Sequence, residues 1–393
     1  MTVKKLELPQ GWTDDVIIKI FYSVPIGVRN FNGLKDYYST GSVKESKITS
    51  EGKFNFQQKP SRANRLAKKN DVFQARMEKS RKSLLIDDDF NDSLFSTGFM
   101  QFRALENCSP KFLFYLLTSG LFLTQRDKLA MGSTQKSLND LGLKKIIIPL
   151  APLNEQKRIV SKIEELFSKI DSAKQLLEHT KLQLEQYRFS LLKFLFEGKE
   201  WKKIKIGEHL NFQYGKGLPK KDRKQGNIPV YGSSGIAGYH NKALVETPSL
   251  IVGRKGSAGS VHLVDQPFWP IDTTYFIEET TIYNLKFLYH LLIHLRLGSL
   301  DSSTAIPSLR RDDVYALEIP LPSIEEQEQI VSQIEQSFSL LENTQNIVNS
   351  TLQTLEIMQM SVLKQAFEGK LVPQDPNDEP AEILLEQIKK QKL

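Results

Sequence analysis

An internal repeat with a constant offset constrains this 393-residue chain more than any other feature of its sequence. The stretch PLAPLNEQKRIVSKIEELFSKID, which begins at Pro149, matches PLPSIEEQEQIVSQIEQSFSLLE, which begins at Pro320, without a gap. The tetrapeptide FEGK also occurs twice, at 196–199 and at 367–370, and both pairs lie 171 residues apart. Such self-similarity defines a duplicated architecture, so the elements of the two copies can be assigned together.

Between its shared start and its FEGK, each copy has the pattern of one long helix. Neither interior contains proline or glycine, and apolar residues recur in alternating steps of four and three, a period of 3.5. About 42 residues at 1.5 Å each predict helices of roughly 60 Å. The apolar residues of this seam are Ile159, Ile163, Leu166, Ile170, Leu177, Leu184 and Leu191 in the first copy and Ile330, Ile334, Leu341, Val348, Leu355, Met358 and Val362 in the second.

A helix this long with an apolar stripe needs a partner, and the nearest candidate is the other copy. Because each copy follows a globular block, we expect the two helices to pair as an antiparallel coiled coil with pseudo-twofold symmetry. Pairing with another chain is the alternative, since the seam does not account for apolar residues such as Val160, Phe167, Leu176 and Phe194.

The two FEGK sequences end the two predicted helices. A glycine just after the last turn supplies a backbone with positive φ, and the adjacent lysine complements the negative end of the helix dipole. Glu197 and Lys199 also fit the E-x-K pattern of a nuclease, but no cluster of partner carboxylates accompanies either copy. We therefore interpret Gly198 and Gly369 as helix caps.

The blocks that precede the helices have similar outlines and different sequences. Each begins with a tryptophan, Trp12 or Trp201, followed by a short alternating pattern typical of a strand. Further on, NDVFQARMEKS aligns with PSLIVGRKGSA, which places Arg76 opposite Arg254. A helix-forming stretch follows in each block, KFLFYLL in the first and KFLYHLL in the second. Each block is therefore predicted to be a mostly β domain with a helix near its end.

The order of these segments predicts an α+β fold with five parts. The tail is expected near the N-terminus, because LVPQDPNDEP follows the second helix much as KEWKKIKIGE follows the first. The parts are a mostly β domain over 1–150, a long helix over 151–199, a second mostly β domain over 200–321, a second long helix over 322–370, and a C-terminal tail over 371–393.

Positive charge is concentrated in the β blocks. Residues 1–150 carry 24 Lys and Arg against 15 Asp and Glu, whereas residues 323–393 carry 5 against 12. A polyanion is therefore expected to bind the β domains and to avoid the C-terminal part. Gly- and Ser-rich loops in the second block would let the backbone approach such a ligand, although a solvated charged loop is the alternative for each cluster. The candidate nucleic-acid-binding residues are Lys59, Arg62, Arg65, Lys68, Lys69, Arg76, Lys79, Arg81, Lys82, Lys216, Lys220, Lys221, Arg223, Lys224, Tyr231, Ser233, Ser234, Arg254, Lys255 and Ser257.

Several classes of protein find no support in the sequence. The single cysteine, Cys108, excludes an internal disulfide framework and fits a reducing compartment. The longest apolar run, FLFYLLTSGLFL, is too short to span a bilayer, and MTVKKLELPQGW lacks the apolar core of a signal peptide, so we expect a cytoplasmic protein. No NPPY-type methyltransferase tetrad or phosphate-binding loop is present. His290 and His294 lack the glutamate of a zincin motif, so we expect neither a catalytic site nor a metal.

In this order, the segments resemble the specificity subunit of type I restriction-modification systems. The resemblance rests on the two PLAP- and PLPS-led helices, on IPVYGSSGIAGY and LIVGRKGSAG in the second block, and on FEGKLVPQDPNDEPAEILLEQI at the end. It covers nearly the whole chain, and the first β block is its least similar part.

The resemblance implies a DNA-binding subunit with no catalytic activity of its own. Each β block would be a target recognition domain that reads one half of an asymmetric bipartite site in double-stranded DNA, with the helices as a ruler for the unread spacer. The implied partners are two modification subunits, which carry S-adenosylmethionine and methylate adenine, and two ATP-dependent restriction subunits. The implied cofactors, S-adenosylmethionine, ATP and Mg²⁺, belong to those partners and not to this chain.

Two other classes remain as alternatives. A nuclease or methyltransferase with unrecognised motifs would act on DNA as an isolated chain with Mg²⁺ or S-adenosylmethionine. A coiled-coil scaffold that binds only protein would explain the helices but not the two diverged basic domains. A coiled-coil scaffold that binds DNA without a restriction function is the other form of this alternative.

Overall fold

The computed structural model describes residues 8–44, 47–105, 108–278, 280–301 and 306–391. Its contacts divide the chain into two compact units. The first unit is Met1–Leu176 together with Thr351–Leu393, and the second is Leu177–Ser350. Each unit therefore contains one β domain together with parts of both long helices.

The first unit contains two four-stranded sheets. One has the strand order β6-β3-β10-β7 and the other β2-β11-β8-β9, while β1 pairs with β12 and β4 with β5. The elements of this domain are β1 Thr13–Val16, α1 Ile17–Ile20, β2 Tyr22–Ser23, β3 Lys35–Tyr38, β4 Val43–Lys44, β5 Lys47–Ile48, β6 Lys53–Phe54, β7 Ala63–Leu66, β8 Asp71–Ala75, β9 Ser83–Leu85, β10 Leu94–Ser96, β11 Phe99–Arg103, α2 Pro110–Thr118, α3 Gly120–Leu129, α4 Asp140–Leu143 and β12 Ile147–Leu150.

The domain of the second unit has the same plan with fewer strands. Its sheets have the orders β14-β20-β17-β18 and β16-β15-β19, and β13 pairs with β21. Its elements are β13 Lys203–Lys205, α6 Ile206–His209, β14 Gln213–Tyr214, β15 Ile228–Gly232, β16 Gly235–His240, β17 Ser249–Gly253, β18 Val261–Val264, β19 Trp269–Pro270, β20 Thr274–Glu278, α7 Leu285–His294, α8 Arg311–Tyr315 and β21 Glu318–Pro320, with 3-10 turns at Lys220–Asp222 and Leu297–Leu300.

Equivalent pairings show that the two domains share a framework. In both, the strand after the tryptophan pairs antiparallel with the strand that leads into the long helix. The central strands β8 and β17 each pair antiparallel with the following long strand, β11 or β20. Each domain also contains one parallel pair, β3 with β10 and β15 with β19. The predicted α+β fold of two β domains and long helices is therefore confirmed.

The long helices α5, Leu153–Phe196, and α9, Ile324–Phe367, contain 44 residues each. Within the first unit, Lys174 near the middle of α5 donates to Gln359 near the end of α9 at 2.8 Å. Within the second unit, the guanidinium of Arg188 near the end of α5 lies 4.6 Å from the ring centroid of Phe338 near the start of α9. The start of α5 also shares a core with the end of α9 in the first unit, and the end of α5 shares one with the start of α9 in the second, so the two helices run antiparallel in both units.

The buried stripe of each helix departs from the predicted 3.5-residue seam toward the C-terminal end. Leu192 and Leu195 are 2% exposed in α5, and Leu363 and Ala366 are 7% and 0% exposed in α9. Met358 is 47% exposed, so its assignment to the seam was wrong. A straight helix of 3.6 residues per turn rotates by about 20° per heptad against a 3.5-residue repeat, which moves the buried face by one residue after several heptads.

The remaining seam residues divide between buried and half-buried positions. The buried ones are Ile159, Ile163, Ile170, Ile330, Ile334, Leu341, Val348 and Leu355, and the half-buried ones are Leu166, Leu177, Leu184, Leu191 and Val362.

The phenylalanine of each FEGK packs against the domain of the other repeat. Phe196, at the end of the helix that follows the first domain, lies 5.3 Å centroid to centroid from Phe287 in the second domain. Phe367, at the end of the helix that follows the second domain, lies 5.3 Å from Phe112 in the first. Both are buried, at 6% and 5% exposure. The FEGK repeat therefore marks a packing contact as well as a helix end.

The glycines of the two FEGK sequences have the conformation predicted for caps. Gly198 has a φ of +74° and Gly369 a φ of +64°, in the left-handed region that favours glycine. A Cβ atom at Gly369 would also lie 2.2 Å from Cγ of Pro9, so a side chain is excluded there by space as well as by conformation.

The C-terminal tail forms a helix within the first unit. This helix, α10 Ala381–Gln391, packs against α1, and its Leu384 and Ile388 belong to the core of the first domain. The amide of Ala381 donates to the carbonyl of Gly11 at 2.8 Å, and Lys389 pairs with Asp15 at 3.2 Å.

The glutamine of the repeated Glu-Gln pair joins each domain to the start of the long helix that follows it through hydrogen bonds. Gln156 and Gln327 are fully buried, and each amide donates to a backbone carbonyl five residues earlier, Ala151 at 2.9 Å and Pro322 at 3.0 Å. Each amide oxygen also accepts from the backbone just before the domain helix, from Ser109 in the first unit at 3.3 Å and from Asn284 in the second at 2.7 Å.

The helices α2 and α7 carry different aromatic side chains at one equivalent position. Tyr115 in the first unit lies edge-on to Phe167, and His290 at the equivalent position lies edge-on to Phe338. Burial lowers the pKa of His290 to about 4, although Glu335 acts in the opposite direction. The Nδ1 atom of His290 is buried without a hydrogen-bond partner among the described residues.

We predict that His290→Tyr removes part of the acid sensitivity of the fold. The imidazole binds its proton more tightly in the unfolded chain than in the folded one, so its contribution is complete above about pH 6.5 and is lost toward pH 4. The free energy of unfolding should fall by at most about 3 kcal/mol for this reason. Urea unfolding at pH 7 and pH 4.5 measures it: the wild type should lose more stability than the variant, and equal losses would contradict the assignment.

Candidate nucleic-acid interface

Ten of the predicted DNA-binding lysines and arginines lie exposed on the β domains. Two of these have contacts of their own: Lys69 pairs with Asp88 at 2.7 Å, and Nη1 of Arg81 lies 3.6 Å from the sulfur of Met360. Ser234 and Ser257 are also exposed. The exposed cationic residues are Arg62, Lys68, Lys69, Lys79 and Arg81 in the first domain and Lys216, Lys220, Lys221, Lys224 and Lys255 in the second.

Three further candidates bind carbonyl groups of their own domain. The ammonium of Lys59 donates to Ala63 at 2.9 Å, and that of Lys82 to Thr40 at 2.6 Å. The guanidinium of Arg223 donates to Ala237 at 2.7 Å. These side chains stabilise loops, and contact with DNA would require them to exchange these hydrogen bonds.

Arg65 and Arg76 lie together in a surface cavity of about 580 Å³ in the first domain. Arg65 is only 2% exposed and donates to the carbonyl of Val24 at 3.0 Å. Burial, followed by the positive charge of Arg76, lowers the pKa of Arg65 to about 10. Arg76 donates to the carbonyl of Leu138 at 3.1 Å and pairs with Asp140 at 2.8 Å. Both arginines therefore bind groups of their own domain, and Arg76 does so partly through an ion pair.

The Gly- and Ser-rich loops of the second domain pack on themselves. The Ser233 hydroxyl accepts from the amide of Ser257 at 3.4 Å, and Ser233 is only 9% exposed. A Cβ atom at Gly253 would lie 2.1 Å from the carbonyl oxygen of Ser257. Tyr231 is half-buried, with its ring edge-on to Phe268. At Gly253 the close backbone approach is thus to the carbonyl group of Ser257 in the same domain.

Arg254 lies where the internal alignment placed it, in a cluster that was not predicted. Its amide donates to Thr273 and its carbonyl accepts from Leu309, as Arg76 does with Gly98 and Leu138. Its guanidinium donates to the carbonyl of Asp272 and lies 5.4 Å from the ring centroid of Tyr214.

Arg311 completes this cluster, since its guanidinium lies 5.0 Å from the ring centroid of Tyr214. Arg311 follows Asp140 by the repeat offset of 171 residues, so extending the alignment a few residues upstream of Pro149 and Pro320 would have found it.

Metal and membrane sites receive no support from the described part of the chain. No group of three or more His, Cys, Asp or Glu side chains there could hold a metal ion. His294 lies instead 3.3 Å from the carboxylate of Glu197. None of the described helices combines the length and the apolar character needed to cross a bilayer.

The fold and the charge distribution define a duplicated α+β protein that presents exposed lysines and arginines on two related β domains. The type I restriction modification DNA specificity domain matches the chain twice, over residues 27–182 and 198–351. The chain therefore belongs to the type I restriction-modification specificity-subunit family, as the resemblance in the sequence indicated. Each match covers most of one β domain and part of the helix after it.

Individual relatives agree with this assignment. The specificity subunit of the type I restriction enzyme EcoBI from Escherichia coli is 25% identical over 317 residues, which are 65% of this chain and 66% of that protein. The HsdS subunit from Thermoanaerobacter tengcongensis has the same fold, with a TM-score of 0.63 and 20% identity over 94% of this chain and 100% of that one. A chain from a structure of a type I R-M system, solved to describe its complex assembly and conformational transition, superposes with a TM-score of 0.81 and 21% identity over 93% of this chain and 100% of that one.

We predict that the exposed and the internal basic residues respond differently to substitution. Replacing Lys220, Lys221 and Lys224 by alanine should leave the melting temperature unchanged. It should reduce the salt slope, which is the slope of the logarithm of the DNA-binding constant against the logarithm of the salt concentration, by about 0.9 for each phosphate that is no longer neutralised.

Arg76→Ala should instead lower the free energy of unfolding by roughly 1–3 kcal/mol, because it removes two internal hydrogen-bonding partners. Calorimetry and binding at several salt concentrations test this. A stable Arg76→Ala protein, or a triple variant with an unchanged salt slope, would contradict it.

Proposed function

We propose that each β domain contacts one half of an asymmetric bipartite site in double-stranded DNA. The observation that carries this proposal is the contrast within the repeat. The residues that join each domain to its helix, Gln156 and Gln327, are identical and make equivalent hydrogen bonds, whereas the exposed basic residues lie at different positions in the two domains. A shared framework with different surfaces suits two readers of different sequences.

Phosphate contacts from the exposed lysines and arginines would supply affinity, and contacts to base edges would supply specificity. The DNA rises about 3.4 Å per base pair, and 44-residue helices are about 66 Å long, so the helices have the length to set an unread spacer. We propose this ruler function for α5 and α9.

The same proposal extends to partners and cofactors. This chain would bring two modification subunits and two restriction subunits to the site, in the cytoplasm where the chromosome lies. S-adenosylmethionine, ATP and Mg²⁺ would be bound by those partners, and this chain would contribute recognition without catalysis. Isolated protein incubated with DNA and either Mg²⁺ or S-adenosylmethionine should therefore give no cleavage and no methylation.

Mapping of methylated adenines in the host genome tests the proposal directly. Wild-type cells should show a split asymmetric motif that disappears when the gene is deleted. Replacing the surface loops of the second domain by those of a relative should change one half of the motif and leave the other half intact. A motif that persists without the gene, or a loop exchange that changes both halves, would overturn the proposal.

A further inference from the structure

The second domain places two positive charges against one tyrosine ring. Arg254 and Arg311 have their guanidinium carbons 5.4 Å and 5.0 Å from the ring centroid of Tyr214, which is 52% exposed. Arg311 also lies 5.6 Å from the ring centroid of Tyr315. Two like charges at one ring repel each other, so the cluster favours the approach of an anion.

Arg311 has no anionic partner within the described residues. Its Nε atom is buried and makes no hydrogen bond there, and its guanidinium forms no ion pair there. The nearby Asp313 lies 4.0 Å from Nε of the adjacent Arg310 instead. Among the described residues, the guanidinium of Arg254 donates to one group, the neutral carbonyl of Asp272. The cluster therefore has two guanidinium charges and no compensating carboxylate in the part of the chain that the structure describes.

The first domain has a carboxylate at the same position. Leu138 donates to the carbonyl of Arg76 at 2.9 Å, and Leu309 donates to that of Arg254 at 2.8 Å, which fixes the equivalence of the two loops. Two residues later the first domain has Asp140, paired with Arg76 at 2.8 Å, and the second has Arg311. The same framework thus holds a neutral Arg76–Asp140 pair, beside the buried Arg65, in the first domain and a doubly positive pair in the second.

We propose that Arg254 and Arg311, supported by Tyr214, bind a backbone phosphate of DNA at a site that the first domain lacks. A guanidinium presents paired N–H donors that match the oxygens of a phosphate, and the tyrosine face holds both groups in place. The inference rests on the proposed function and adds to it that the two domains hold DNA with unequal phosphate contacts.

A reciprocal exchange of the two side chains tests the site. Arg311→Asp recreates in the second domain the ion pair that the first domain contains, so the variant is expected to fold and to keep its melting temperature. In complex with the modification subunit of its own system, it should bind cognate duplex about tenfold more weakly, with a salt slope smaller by about 1. Asp140→Arg should increase the salt slope by about the same amount. Unchanged slopes in both variants would overturn the proposal.

Duplexes with a neutral methylphosphonate at single positions locate the contact. At one position, in the half of the site read by the second domain, the substitution should weaken wild-type binding and should leave binding by Arg311→Asp unchanged. Inorganic phosphate at constant ionic strength distinguishes a pocket for a free anion. If it raises the melting temperature of the wild type and no methylphosphonate weakens DNA binding, the proposal is wrong.

These outcomes are separable from the proposed function. If cognate DNA binds and is methylated but Arg311→Asp behaves as wild type, only the phosphate site is wrong. If the wild-type complex shows no specific DNA binding, the proposed function itself fails.

Discussion

The structure depends on the contacts that join the two ends of each long helix to the β domains. At the start of each helix, a fully buried glutamine joins the first turn to the domain that precedes it, through Gln156 or Gln327. At the other end, Phe196 or Phe367 packs between apolar groups of the other domain. Leaving the amide of such a glutamine unpaired would cost about 1–3 kcal/mol, and truncating such a phenylalanine about 3–5 kcal/mol. These four side chains link each helix to both β domains, and they recur at the offset of 171 residues.

This arrangement separates the parts of the chain that must stay constant from those that can change. The fastening contacts are buried, and they involve backbone groups and rings near the helix ends. Most of the exposed lysines and arginines lie in loops away from these contacts. Substitutions in those loops are expected to alter the surface presented to a ligand with little effect on the framework, because exposed positions usually contribute little to stability.

The sequence predicted the framework well, because the framework depends on local patterns that occur twice. The helix caps at Gly198 and Gly369, the equivalence of Arg76 with Arg254 and the length of the helices followed from the repeat alone. The seam was wrong at Met358, because the helices do not keep a 3.5-residue period to their ends. The parallel strand pairs and the contact of each FEGK with the other domain could not be predicted, since they depend on tertiary packing between distant segments.

The candidate interface was harder to predict, because composition identifies basic residues without showing their partners. Arg65 and Arg76 were equal candidates with Lys68 in the sequence, yet both arginines bind groups of their own domain. Arg311 was missed, since its significance arises from Arg254 and Tyr214, which are distant in sequence.

The function proposed for α5 and α9 is to set the distance between the two DNA-reading β domains. Its most direct test is the duplication of one heptad in both helices at the same repeat position, after Thr180 and after Thr351, followed by mapping of methylated adenines. Seven residues add about 10 Å, or about three base pairs. We expect the same two half-sites with a spacer longer by about three base pairs. Methylation at the original spacer would contradict it.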